Sequence, residues 1–169
     1  MKKLNLGCGS RPIKGYVNID KFNLKGIDVV HDLNKFPYPF KDNTFDEIIS
    51  EGCIEELDDF IKVMEELHRI SKNKAKIRIH TPAFPSFRAL VHPYTKKIMT
   101  YESFDFFENP QSYYTKAQFK ILKKQWQFAT RKSLNWVSLL ININPKFYAR
   151  FISNIFPSDF INFELEVIK

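Results

Sequence analysis

The sequence predicts an α/β fold on an open sheet, and three observations predict it. Short β-like runs recur through the first half of the chain and close in glycine or in a carboxylate. A helix-period segment stands between two of those runs. The chain ends in a run that alternates apolar and polar residues.

The first run, Lys3-Leu4-Asn5-Leu6, ends at Gly7-Cys8-Gly9-Ser10. A strand followed by Gly-x-Gly is a nucleotide-type loop, because glycine lets the backbone turn sharply and approach a ligand without Cβ interference. In open α/β sheets ligands sit beyond the carboxyl ends of the strands, where this loop falls. The bland alternative is an ordinary glycine-containing turn. The second run, Tyr16–Asp20, ends in a carboxylate that can accept hydrogen bonds from the vicinal hydroxyls of a ribose. Asp20 follows Gly9 by only 11 residues, and Pro12 stands where a dinucleotide loop has its third glycine. Both facts argue against NAD. Ser10–Gly15 is too short for a crossover helix, so a loop or a single turn is expected there.

Val29–Leu33 reads as a third strand. It holds Asp32, which can accept from an exocyclic amine, and Leu33, which can pack on a purine face. A proline-rich loop, Phe36–Phe40, leads to a fourth strand at Phe45–Ser50. A helix is predicted from about Asp58 to Ser71, with Phe60, Ile61, Val63, Met64, Leu67 and Ile70 at helical spacing. Asp58 or Asp59 is its cap and Asn73 its left-handed terminator. Lys76–His80 is a fifth strand. Thr100–Phe104 reads as a helix start capped by Thr100, and Phe119–Phe128 as a strand or an amphipathic helix. Trp136–Phe156 reads as two short helices interrupted at Pro145. In the last run Phe163, Leu165 and Val167 face one way and Asn162, Glu164 and Glu166 the other.

Composition is that of an ordinary globular chain, 44% hydrophobic and 27% charged in 169 residues. That length suits one domain, 1–169. The net charge is +7, but it is uneven: residues 1–70 carry 10 basic and 13 acidic residues, and residues 71–169 carry 16 and 6. Two cysteines, Cys8 and Cys53, match no disulfide or metal pattern, so no metal is expected and reduced thiols in a cytoplasmic protein are. There is no signal-peptide pattern and no apolar run long enough for a transmembrane segment.

The segments Leu4–Gly9, Gly15–Asp20, Asp28–Ile48 and Leu57–Ile79 together resemble the class I S-adenosylmethionine-dependent methyltransferases, in particular a small type 11-like subgroup that starts directly at the glycine loop. The resemblance implies a Rossmann-like, mostly parallel sheet with an antiparallel C-terminal strand beside strand five and a short or missing first crossover helix. It implies a cofactor-binding half, 1–82, and an acceptor-site and outer-surface half, 83–169. S-adenosylmethionine is the implied cofactor. Leu6, Gly7, Cys8 and Gly9 are the implied loop contacts, with the glycine amides turned to the methionine part. Asp20 is implied at the ribose, Asp32 and Leu33 at the adenine, and Ser50 and Glu51 on the methyl-transfer side.

Methyl transfer from a sulfonium is an in-line displacement that asks mainly for alignment. A base is needed only for a poorly acidic acceptor. Candidate bases are Glu51, Glu56, His80 and His92, with Glu51 and His92 placed as catalytic candidates. His31 and His68 read as structural, and nothing pairs Cys53 with a histidine. Tyr94, Thr95, Lys96 and Tyr101 are candidate substrate contacts. Gly52 and Glu56 replace histidines often found in related sequences, which motivates a rival: a cofactor-binding protein with lost or altered catalysis. The acceptor is expected to be a small molecule or saccharide, and an anionic one given the basic C-terminal half. The basic and aromatic stretch at 116–132 fits a solvated face, a peripheral membrane surface, or nucleic acid. The last ranks lowest because no nucleic-acid motif accompanies it.

Overall fold

A computed structural model describes residues 1–130 and 134–169. Seven strands form one sheet in the order β3-β2-β1-β4-β5-β7-β6. They are β1 (Lys3–Leu6), β2 (Val17–Asp20), β3 (Val29–Val30), β4 (Phe45–Glu51), β5 (Ser71–Pro82), β6 (Gln118–Gln127) and β7 (Phe160–Ile168). Strands β1 to β5 pair in parallel, and β7 runs antiparallel between β5 and β6. The expected mostly parallel sheet with an antiparallel last strand beside β5 is what forms.

The pleat sorts the residues. Leu4, Leu6, Ile48, Ile77, Ile79, Phe163, Leu165 and Val167 are all buried on one face. Helix α1 (Phe60–Ile70) covers that face with Val63, Met64, Leu67 and Ile70, its start capped by Asp59, whose carboxylate accepts from Lys62 N at 3.0 Å. Aromatics complete the core: Phe104 packs on Phe60 and Phe163, and Phe107 on Phe119.

The opposite face is polar. Glu47 accepts from Lys3 at 2.9 Å, Arg78 at 2.8 Å and Tyr16 at 2.9 Å, and Glu164 pairs with Lys76 at 3.0 Å. Here the first crossover helix is absent, as expected, and two buried asparagines take over its work. Asn5 and Asn18 point to this face at the strand positions between the leucines and between Val17 and Ile19. Asn5 Nδ2 donates to Asn18 Oδ1 and to Arg11 O, and Asn18 bonds the backbone of Ile13 at both N and O. Buried backbone polar groups need partners, and these side chains supply them to the loop.

Local departures have local causes. The expected third strand is only two residues long, because Asp32 accepts from Asn34 N and Lys35 N and closes a turn. Helix α1 ends directly into β5, and the left-handed residue is Lys74 (φ 64°) rather than Asn73. Thr100 starts no α-helix. Its hydroxyl accepts from Glu102 N in a turn, and a 3-10 turn follows at Asp105–Phe107. The ambiguous 119–128 segment is strand β6. Of the basic stretch 116–132, Arg131 and Lys132 lie outside the described residues. Among the described residues the short helices α2 (Arg88–Val91), α3 (Asn135–Ile141) and α4 (Pro145–Phe147) complete the fold, the last continuing as a π-turn to Ile152. Among the described residues no helix is long and apolar enough to cross a membrane.

Candidate active site

A cleft of about 410 Å³ opens at the carboxyl ends of β1, β2 and β4, the size of an ordinary small-molecule site. The glycine loop forms one wall. Gly7 (φ +62°) turns the chain, and a Cβ built on it would stand 2.1 Å from Cys53 Sγ, so only glycine fits. Gly9 (φ +52°) has nothing within 4 Å of its Cβ position. Its amide does not point at the cleft as expected; it donates to Asp20 Oδ2 at 2.8 Å. What Gly9 offers a ligand is a bare, open backbone surface.

Asp20 ends β2 and is 8% exposed. Its second oxygen accepts from Phe22 N at 3.0 Å. The carboxylate therefore clips the glycine loop to the β2 turn, and each oxygen keeps a lone pair for a further donor. Asp32 and Leu33 form the far wall. Leu33 is fixed from behind by Tyr38, whose hydroxyl donates to Leu33 O at 3.0 Å.

The third wall comes from after β4 and after α2. Glu51 stands at the strand end, 3.5 Å from the Arg11 guanidinium. His92 Nδ1 lies 3.1 Å from Glu56 Oε1, and Lys96 pairs with Asp58. Lys21 sits over the Tyr94 ring at 5.5 Å, linking the β2 turn to the 92–96 segment across the mouth. The lining carries Asp20, Asp32, Glu51 and Glu56 against Arg11, Lys21 and Lys96, with His92 beside them. The cleft is thus of mixed charge.

Five of the candidate residues stand elsewhere. Leu6 and Ser50 lie in register on adjacent strands, both on the apolar face, and are buried there. Ser50 Oγ finds no partner among the described residues, and Ser50 does not line the cleft. Tyr101 is a core residue, 7% exposed, stacked on Trp126 at 5.5 Å beneath the Lys124 ammonium. Thr95 lies between two lining residues and is not itself in the wall. His80 is stacked on Phe160 and bonded to Asn162 Oδ1 at 2.8 Å, away from the cleft. Burial pushes the Cys53 and Cys8 thiols up, so neither is a ready nucleophile.

Glu55 escaped the sequence reading. It is 4% exposed, beside the lining residue Glu56, and its Oε2 has no partner among the described residues. Burial pushes its carboxyl above the ordinary range, and the neighbouring Glu56 charge adds to this. Its carbonyl accepts from Lys96 N and Lys97 N, both at 2.9 Å, and so holds the 92–97 wall. The available signal was its place beside buried Ile54, but Glu55, Glu56, Asp58 and Asp59 form a run of four acids broken only by Leu57, which reads as surface.

Residues 13–79, from the glycine-loop exit to the end of the β5 core, match the family model described as a methyltransferase domain. Solved structures share the fold. An S-adenosylmethionine-dependent methyltransferase from Archaeoglobus fulgidus is 17% identical with a TM-score of 0.60, over 98% of this chain and 85% of that one. One from Mesorhizobium loti is 13% identical with a TM-score of 0.61, over 98% and 90%. The [4+2]-cyclase SpnF is 12% identical with a TM-score of 0.61, over 99% and 74%. No curated protein matches the chain in sequence.

Proposed function

We propose that this chain, of the class I S-adenosylmethionine-dependent methyltransferase type in its domain match and fold, transfers a methyl group to a small-molecule or saccharide-type acceptor. The observation that carries the reading is the convergence on one cleft of the Gly7–Gly9 loop, Asp20, Asp32 and Leu33 with the His92–Lys96 wall. The residues fit the cofactor: open backbone at Gly9, a carboxylate with free lone pairs at Asp20, and an apolar side chain beside an acceptor at Leu33 and Asp32.

S-adenosylmethionine supplies a methyl group already activated by its sulfonium charge. The chain's own residues bind and align. Asp20 accepts from ribose hydroxyls while holding the loop in place. Asp32 and Leu33 take the base. Glu51, Glu56 and His92 stand on the remaining wall, where the acceptor enters. The His92–Glu56 pair is the best placed to take a proton from an acceptor hydroxyl or amine, since Glu56 fixes the ring through Nδ1 and leaves Nε2 for the acceptor. An anionic acceptor gains less support than the C-terminal charge suggested, because no residue of 116–130 lines the cleft. That SpnF, named as a cyclase, has this fold keeps the rival reading of altered catalysis in view.

Calorimetry with S-adenosylmethionine and S-adenosylhomocysteine tests the reading. Asp20→Ala should weaken binding by about 1.5–3 kcal/mol, as for a lost charged hydrogen bond. No binding at millimolar cofactor overturns both methyltransferase readings. Binding without turnover of any acceptor class selects the rival.

A further inference from the structure

The segment between β6 and β7 is amphipathic in the inverted sense. On and just after α3, Trp136, Leu139 and Ile143 are 58%, 69% and 79% exposed, at the i, i+3, i+7 spacing of one helix face. Beyond Asn144 the stripe resumes in Phe147, Phe151 and Ile155, exposed by 51%, 58% and 86% at i, i+4, i+8. The segment is nonetheless firmly seated. Val137 and Tyr148 face inward, Tyr148 stands against Trp126 at 5.2 Å and its hydroxyl bonds Phe156 O at 2.7 Å. A helix in a soluble protein turns its apolar stripe to the core; a contiguous stripe held toward solvent marks an interaction surface.

Charge selects the occupant. Lys146 and Arg150 are exposed within the same stripe. The sequence has no acidic residue from Asn109 to Ser158, and the next, Asp159, is taken by Arg88 at 2.9 Å. Two copies meeting through this patch would set cation against cation, since a two-fold interface is self-facing. Nucleic acid would leave the apolar stripe unburied. An anionic bilayer answers both features, taking the apolar stripe at the acyl boundary and the cations at the headgroups. We propose that residues 134–156 form an interfacial docking surface for anionic lipid bilayers, lying on the membrane rather than crossing it. Chain direction places the segment where β6 ends and β7 begins, on the same carboxyl-end side of the sheet as the cleft.

The two tryptophans make the test direct, because Trp126 is 2% exposed and Trp136 is 58% exposed. The full chain is titrated with phosphatidylcholine vesicles with and without phosphatidylglycerol, and Trp emission and vesicle flotation are read together. A blue shift with the anionic vesicles only, reduced by salt, is expected. Trp136→Phe should remove the shift and keep flotation. Leu139→Ser/Ile155→Ser, checked for native circular dichroism, should reduce partitioning about tenfold or more. Lys146→Glu/Arg150→Glu should reduce it on anionic vesicles. Absence of flotation at low salt overturns the proposal, as does equal binding to neutral vesicles. A lipid-free dimer that shields Trp136 also overturns it and assigns the patch to a second copy.

Discussion

Gly7 is constrained on two counts, a left-handed φ of +62° and the Cys53 sulfur 2.1 Å from where a Cβ would stand. The sulfur belongs to a buried side chain with little room to retreat. Gly7→Ala should therefore destabilise by about 2–4 kcal/mol, adding overpacking to backbone strain. Gly9→Ala carries strain alone and should cost about 1–2 kcal/mol. Urea midpoints of the two variants check the order. Glu55 makes a different prediction. Its carboxyl is raised by burial, so the fold favours the protonated form and the unfolded chain does not. The associated stability is fully present below the ordinary carboxylate range and is lost as pH rises through the raised value. Glu55→Gln cannot titrate, so its melting temperature should fall less than the native chain's between acidic and neutral pH, read by scanning fluorimetry. The motif-bearing residues were legible because glycine and a strand-end carboxylate announce themselves in sequence. Ser50 and Tyr101 were misplaced because a strand-end serine and a tyrosine in an irregular segment do not declare which face they take.

At the level of elements, the wall that carries Asp32 and Leu33 depends on α1. Arg69 donates to Glu66 through Nε and one terminal nitrogen, both at 2.8 Å, to Asp42 at 2.7 Å, and to the carbonyls of Phe40 and Tyr38. Glu66 in turn accepts from Tyr38 N at 2.7 Å. One guanidinium thus ties the β3–β4 loop to the helix, and Tyr38 passes the constraint to Leu33. Arg69→Met keeps the apolar stem and removes the fork. It should cost about 2–3 kcal/mol of stability, and cofactor affinity should fall with it, although Arg69 does not line the cleft. Calorimetry at a temperature where the variant is fully folded separates the two effects. Periodicity predicted α1 to within two residues and β7 by its alternation. The Arg69 clamp was illegible because its partners lie up to 31 residues apart. The loop in place of the first crossover helix was visible as a length, while its support by Asn5 and Asn18 was hidden in two polar residues at alternate strand positions.

Across the whole molecule the charge asymmetry acquires a location. The basic residues of 116–124 lie on and before β6, which forms one edge of the sheet, and not in the cleft. Edge strands expose unpaired backbone groups that invite pairing with other chains, and lysines and bulges blunt them. Here Lys120 and Lys123 are exposed, and the register shifts between Ile121 and Lys123. The carboxyl end of the same strand is covered differently: Asn142 bonds Trp126 N and O at 2.9 and 2.7 Å, and Ser138 Oγ accepts from Phe128 N at 2.9 Å. The opposite edge, β3, is only two residues long. Lysines thus stand where neither side-chain capping nor shortness protects the sheet. Lys120→Thr/Lys123→Thr should leave the melting temperature nearly unchanged, since exposed substitutions seldom move stability by more than about 0.5 kcal/mol. Cofactor affinity should stay within about twofold, because Coulomb effects across the sheet are screened at physiological salt. Aggregation followed by light scattering should instead begin at lower protein concentration. A sharp loss of cofactor or acceptor binding with no change in aggregation would return these cations to the ligand and remove the edge-protection account.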